Sequence, residues 1–260
     1  MTAEAYGDVR IERRGHVALA IIDHPPNNHV STPLMRALAD AFEALDADNE
    51  VRAVVLATEG RVFCGGADLH APNAVTRGDG AGINPLYTEA VRLFSNTKPI
   101  VAAIQGAAVG AGLGLALVAD FRIAAPEARF SANFVKLGFH AGFGISHTLP
   151  RLIGQQRAAL MLQTARRIKA DEALEWGLVD AVVPLEEVRQ AAIALAQEIA
   201  ENAPLAVQSS RATLRQGLAA AVRAQTNHEF AEQQRLMKTK DFAEGVRAVA
   251  ERRPGAFTGA

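Results

Sequence analysis

Arg61-Val62-Phe63-Cys64-Gly65-Gly66-Ala67-Asp68-Leu69 and Gly106-Ala107-Ala108-Val109-Gly110-Ala111-Gly112-Leu113-Gly114 decide the reading of this chain. Each segment follows a strand-like apolar run, residues 51–58 before the first and 100–104 before the second. Each concentrates residues with little or no side chain where the chain must turn. Bare backbone at a turn leaves N–H groups free to face a ligand. Two such turns can aim two amides at one oxygen, the arrangement that stabilises a developing oxyanion.

Outward from these segments the pattern is strand, turn, helix. It begins at Val51, again at Ile100 and again at Phe121. Such alternation predicts crossover connections and an α/β core. Upstream, residues 9–13 and 16–22 read as strands around Arg14-Gly15, and Pro25-Pro26-Asn27-Asn28 breaks the pattern. A helix is expected from Thr32, as N-cap, with Pro33 at its first position, to about residue 46. Leu34, Leu38, Ala41, Phe42 and Leu45 share one of its faces. Residues 71–84, with Gly and Pro, read as a loop; 87–95 read as a helix, and 121–125 and 128–131 as short strands. After Ser146 the chain is mostly helical, with candidates at 186–202, 204–216, 221–237 and 241–252. A helical tail after an α/β core packs on that core or on a neighbouring subunit. The expected division is a core over 1–200 and a C-terminal helical region, with a trimerisation role, over 201–260.

The 260 residues, 49% of them hydrophobic, suffice for a sizeable core. Twenty-seven basic and 28 acidic residues leave a net charge of −1, which points to neither nucleic acid nor an anionic membrane as a partner. The single cysteine, Cys64, permits no internal disulfide and fits a reducing compartment. Residues 1–8 lack a basic stretch followed by an apolar one, so a cytoplasmic location is expected. Residues 99–119, where Gln105 is the strongly polar exception, approach the length of a membrane span. Their β-branched first half and Ala/Gly-rich second half fit a buried strand feeding a buried helix instead. No His, Cys and Asp cluster has metal-ligand spacing, and Gly110-x-Gly112-x-Gly114 lacks the register of a dinucleotide site.

The two glycine segments resemble those of the enoyl-CoA hydratase/isomerase family, the crotonase superfamily. The likeness continues in order through Ala128-Arg129-Phe130, Leu137-Gly138, Leu149-Pro150-Arg151-Leu152-Ile153-Gly154, Ala170-Asp171-Glu172-Ala173, Trp176-Gly177-Leu178-Val179-Asp180 and Asp241-Phe242-x-Glu244-Gly245. The resemblance implies an α/β spiral of repeated β-β-α units with a C-terminal helical region, assembled as a homotrimer or a dimer of trimers. It implies an acyl-CoA thioester as substrate, with coenzyme A as part of that substrate and no separate cofactor. The backbone N–H groups of Ala67 and Ala111 would be the oxyanion donors; Ala111 stands where the family usually has glycine. Pro26, His29, Gly65, Asp68, Leu69, Gly110, Gly114 and Phe134, with Ala67, fall where the family contacts substrate or CoA.

The resemblance also exposes a departure. A hydratase of this family moves protons with two glutamates, and their places hold Gly114 and Phe134 here. Neither side chain can transfer a proton. His140, in the loop expected near the acyl end, is the candidate acid/base, since imidazole titrates near physiological pH; its alternative role is to shape the pocket. Glu89, on a helix that faces the acyl pocket in this family, is a further carboxylate to weigh. His70 reads as a solvated helix-start residue, His147 as structural, Asp68 as fixing its turn and Cys64 as inert. Hydration, double-bond isomerisation, thioester or C–C hydrolysis and decarboxylation all remain open. So do an acyl-CoA-binding protein with weak catalysis and a structural subunit. Phe134, Phe139 and Phe143 point to a snug apolar or aromatic acyl pocket.

Overall fold

Unbroken apolar runs place a sheet at the centre of the molecule, because a strand covered on both faces has no reason to alternate. The computed structural model describes residues 4–67 and 84–260. Asp68, Leu69, His70 and the expected loop as far as residue 83 lie outside the described residues. The chain opens with β1 (Glu4–Tyr6), β2 (Val9–Arg14), β3 (Val17–Ile22), α1 (Thr32–Ala47), β4 (Ala53–Thr58), α2 (Pro85–Phe94), β5 (Ile100–Ile104), β6 (Ala107–Val109), α3 (Ala111–Ala116), β7 (Phe121–Ala124) and β8 (Arg129–Ser131). A 3-10 turn (Asn133–Leu137) leads to α4 (Ile145–Ile153), α5 (Gln155–Thr164), β9 (Ile168–Lys169), α6 (Ala170–Glu175) and β10 (Ala181–Val182). The helices α7 (Val188–Ala200), α8 (Pro204–Leu214), α9 (Leu218–Leu236) and α10 (Lys240–Ala250) complete it.

The large sheet runs β1-β2-β3-β4-β5-β7-β10, antiparallel up to β3 and parallel beyond it. A smaller sheet runs β6-β8-β9, and a bridge between Cys64 and Ala108 extends it. Each of β4, β5 and β7 therefore lies in the large sheet and is followed by a segment in the small one and then by helical chain. This is the repeated β-β-α spiral. One face of the large sheet packs Ala18, Ala20, Ile22, Val54 and Leu56 with the apolar stripe of α1. The other packs Val17, Leu19, Ile21, Val55 and Val101 with Val188, Ala192, Ile193 and Ala196 of α7. No described helix is long and apolar enough to cross a membrane.

Local details differ from expectation by a residue or an element. Ser31, not Thr32, caps α1: its backbone is extended and its side chain accepts the Leu34 N–H. Asn84 does the same for α2 through the Leu86 N–H, so that helix starts at Pro85 rather than at residue 87. The second glycine segment is not a single turn. Its first residues form β6, whose three positions pair with β8, before α3 begins.

The loop between the 3-10 turn and α4 is held from behind by α9. Glu229, fully buried on α9, accepts hydrogen bonds from the Gly144 N–H at 2.7 Å, the Ser146 N–H at 3.1 Å and the Ser146 hydroxyl. Burial pushes its pKa up to about 7, against the opposing pull of those same hydrogen bonds.

Two measurements follow. A Cβ on Gly112 would overlap the carbonyl oxygen of Cys64, so Gly112→Ala is expected to destabilise the fold by about 2–3 kcal/mol, read as a lowered denaturation midpoint at unchanged slope. Glu229 has its folded pKa raised above 4.5, so its contribution to stability is fully present below that pH and is lost as pH rises through about 7. Relative to Glu229→Gln, wild type is expected to lose about 3 kcal/mol of unfolding free energy across that window. Parallel stability–pH curves for the two proteins would contradict this.

Candidate active site

The two glycine segments meet through backbone alone. Cys64 N–H donates to Ala107 O and Val109 N–H to Cys64 O, both at 3.0 Å. Gly66 has φ +92°, and a Cβ there would sit 2.7 Å from Val109 O and 3.8 Å from Ala111 N. Only glycine allows both that conformation and that approach. Three further amides at the junction are taken: Gly65 N–H by Asn27 O, Val30 N–H by Gly66 O and Gly110 N–H by Ser131 O, each at 2.8 Å. Ala111 opens α3, and the first N–H groups of a helix have no carbonyl within it to bond.

Ala67 and Ala111 line one cavity of about 60 Å³, together with Gly65, Gly66, Val109, Gly110, Phe134, Leu137, Phe139, Tyr87, Asn133 and Gln233. Among the described residues no carboxylate and no imidazole lines it. Aromatic packing shapes one wall: Phe139 meets Phe134 and Phe242 edge to face, with ring centroids 5.7 and 5.4 Å apart. The α10 helix holds that wall in place by packing its backbone directly on the 3-10 turn. Gly245 lies against Leu137, where a Cβ would come 2.5 Å from the Leu137 carbonyl carbon.

A larger groove of about 1040 Å³ lies beyond the first glycine segment, at the carboxyl ends of β4 and β5, where open α/β sheets bind ligands. Pro26, Arg61, Gln105, Glu127 and Arg189 line parts of it. Gln105 ties the two strand ends together by donating to Thr58 O at 3.1 Å and Thr58 Oγ1 at 2.8 Å. Buried Asn28 fixes the same 58–62 segment, donating to Glu59 O at 2.8 Å and Val62 O at 2.9 Å.

Of the residues singled out in the sequence, Gly65, Ala67, Gly110, Ala111 and Phe134 come together at the cavity, and Pro26 lies in the groove. His29 packs against the first turn, with Nδ1 3.2 Å from Gly66 O. Asp68 and Leu69 lie outside the described residues. His140 does not line the cavity. Its neighbour Phe139 faces inward, and the imidazole turns away, with Nδ1 2.8 Å from Ala141 O and its ring edge-on to His228. Gly114 does not line the cavity; Phe143 packs on it, and a Cβ on Gly114 would come 2.6 Å from the Phe143 ring. Glu89 is likewise absent from the cavity. It is bound to Arg36 at 2.9 Å and Arg92 at 2.6 Å on the α1 side. Cys64 is fully buried, which pushes its thiol up to about 12 and keeps it protonated. No group of His, Cys, Asp and Glu among the described residues could hold a metal ion.

Tyr87, Asn133 and Gln233 were not foreseen. For Gln233 the sequence carried a signal. Val222, Thr226, Glu229, Phe230 and Gln233 form the buried stripe of α9 at helical spacing, and three of the five are polar. Polar groups on an inward face must meet partners or a ligand.

The sequence pattern of the enoyl-CoA hydratase/isomerase family matches residues 12–260. The short-chain-enoyl-CoA hydratase of Clostridium acetobutylicum is 32% identical, over 95% of this chain and 95% of its own. The crystal structure of an enoyl-CoA hydratase/isomerase from Pseudoalteromonas atlantica superposes with a TM-score of 0.86 at 28% identity, covering 96% of this chain and all of that one. That of a carnitinyl-CoA hydratase from Mycobacterium avium gives 0.83 at 34% identity, over 97% and 99% of the two chains. With these matches and the spiral fold, the chain belongs to the enoyl-CoA hydratase/isomerase family of the crotonase superfamily.

Proposed function

We propose that the protein processes acyl-CoA thioesters by holding the thioester carbonyl between the backbone N–H groups of Ala67 and Ala111. The observation that carries this reading is that both residues line one apolar cavity, at a junction where the amides of Cys64, Gly65, Val109 and Gly110 are already bonded. The acyl group occupies the cavity and the CoA portion the adjoining groove. Two fixed donors stabilise the enolate or tetrahedral oxyanion that forms on the carbonyl oxygen. Family membership makes 2-enoyl-CoA hydration or isomerisation the first reaction to test, and the hydratase names of the relatives support the same choice.

The proton-handling half differs from the paired-glutamate arrangement. In this reading Gly114 and Phe134 occupy the two glutamate places, and Phe143 fills the space beside Gly114. Phe143 is wholly buried at φ +63°, a conformation costly for a bulky residue and one that close packing must hold. Protons then pass through water or a relocated group. His140 would serve only if the 138–144 loop turned its ring inward.

We also place this chain in a homotrimer or a dimer of trimers without a separate cofactor. Leu205 and Leu214, each 79% exposed on α8, supply apolar surface for such contacts. Sedimentation is expected to give a multiple of three times the 27.6 kDa chain.

Loss of enoyl absorbance from crotonyl-CoA and longer 2-enoyl-CoAs tests the reaction. Ala111→Pro tests the donor, because proline suits the first turn of a helix but has no N–H. It is expected to lower kcat by about 10²–10³ with the melting temperature retained. Unchanged kcat in that variant would remove Ala111 from the oxyanion site.

A further inference from the structure

Two of the cavity's polar side chains come from distant helices and bond each other. Tyr87, on α2, is 5% exposed and stacks edge to face on Phe230, with centroids 6.2 Å apart at 89°. Its hydroxyl donates to Gln233 Oε1 at 2.9 Å. Gln233, on α9 and 2% exposed, donates through Nε2 to His140 O at 3.0 Å. Both bonds fix the amide orientation. Gly142 closes over the pair: a Cβ there would overlap the Tyr87 hydroxyl. Burial pushes the phenol well above its ordinary pKa, and the carboxylate of Glu229 adds to the effect. Tyr87 therefore stays a neutral hydrogen-bonding group rather than a base.

Bond capacity remains unused in this pair. The Tyr87 hydroxyl gives its proton to Gln233 and keeps lone-pair capacity to accept a hydrogen bond. The Gln233 Nε2 has a second N–H beyond the one given to His140 O. One acceptor and one donor side by side in an apolar wall match a single hydroxyl group, which accepts one hydrogen bond and donates another. Leaving both without a partner is costly in a buried site. The small cavity sets the reach, since the same 60 Å³ is also bounded by Ala67 and Ala111. A hydroxyl bound by the pair then lies within a few atoms of a carbonyl bound by the amides.

We propose that Tyr87 and Gln233 are specificity-determining residues that read a hydroxyl on the β-carbon of a short acyl-CoA thioester. This deepens the acyl-CoA reading above and rests on it. The hydroxyl of a 3-hydroxyacyl chain accepts from Gln233 Nε2 and donates to Tyr87 Oη. A saturated acyl chain of the same length leaves both unpaired, as well-built polar sites penalise.

Calorimetric titration of wild type with 3-hydroxybutyryl-CoA and butyryl-CoA tests this. Wild type is expected to prefer the hydroxylated ligand about tenfold. In Tyr87→Phe the preference should collapse, while an unchanged far-ultraviolet circular dichroism spectrum reports an intact fold. If Tyr87→Phe does not fold, Gln233→Leu reads the same preference and is expected to lower it comparably. Equal binding of the two ligands to wild type, or a preference that survives in the folded variant, overturns the assignment but leaves the acyl-CoA reading standing. No binding of either ligand to wild type overturns both.

Discussion

The rest of the structure depends on two stretches of backbone touching without side chains between them. At Cys64–Gly66 and Val109–Gly112 the separation is set by main-chain hydrogen bonds of 3.0 Å and by the absence of any Cβ on Gly66 and Gly112. That contact joins the second β-β-α turn to the first and closes the small sheet onto the large one. It also decides which amides are spent on structure and which are left at the edge of a cavity. Fold and site are therefore one constraint. A larger residue at the junction would move Ala67 and Ala111 apart in the same stroke that loosens the sheets.

Charge plays a peripheral part. Acids and bases pair locally, such as Arg92 with Asp40, Glu43 and Glu89 between α1 and α2. A second group lies at the foot of α8, where Asp120 accepts from Arg211 at 2.8 Å and Arg215 at 2.9 Å. Exposed pairs of this kind add little stability each, while those with buried partners set geometry more than they add energy. Among the described residues, the side-chain polarity around the cavity is neutral, carried by a phenol and two amides. Any charge developing on a bound ligand would meet fixed dipoles with little water to reorganise.

How much was legible before the structure follows from what each feature requires. The glycine segments could be read because their meaning is steric and local: no other residue fits there. β3, β4, β5 and β7 of the large sheet were legible as apolar runs, and α1 as a stripe beginning at Leu34, whereas β1 (Glu4–Tyr6) and β10 (Ala181–Val182) are too short to show a pattern and were not read. The cap at Ser31 was missed because adjacent Ser and Thr both qualify, and only backbone angles choose between them. The inward turn of Phe139 and the outward turn of His140 were illegible, since a loop of alternating large and small residues carries no periodicity to assign its faces. Phe143 in the left-handed region is harder still, because its only explanation is the empty space beside Gly114. Tyr87 and Gln233 lie 146 positions apart, and a single sequence does not say which polar residues on two helices will face each other.

That separation also bears on how the molecule comes into being. The hairpin of β2 and β3 can pair as soon as their residues emerge, since they are neighbours in the chain. The back wall of the cavity must wait until α9 has left the ribosome and docked on α2 and the 138–146 loop. During synthesis the glycine junction then passes through a period with its apolar pocket open to water on one side, and closure of that pocket is deferred to the last quarter of translation.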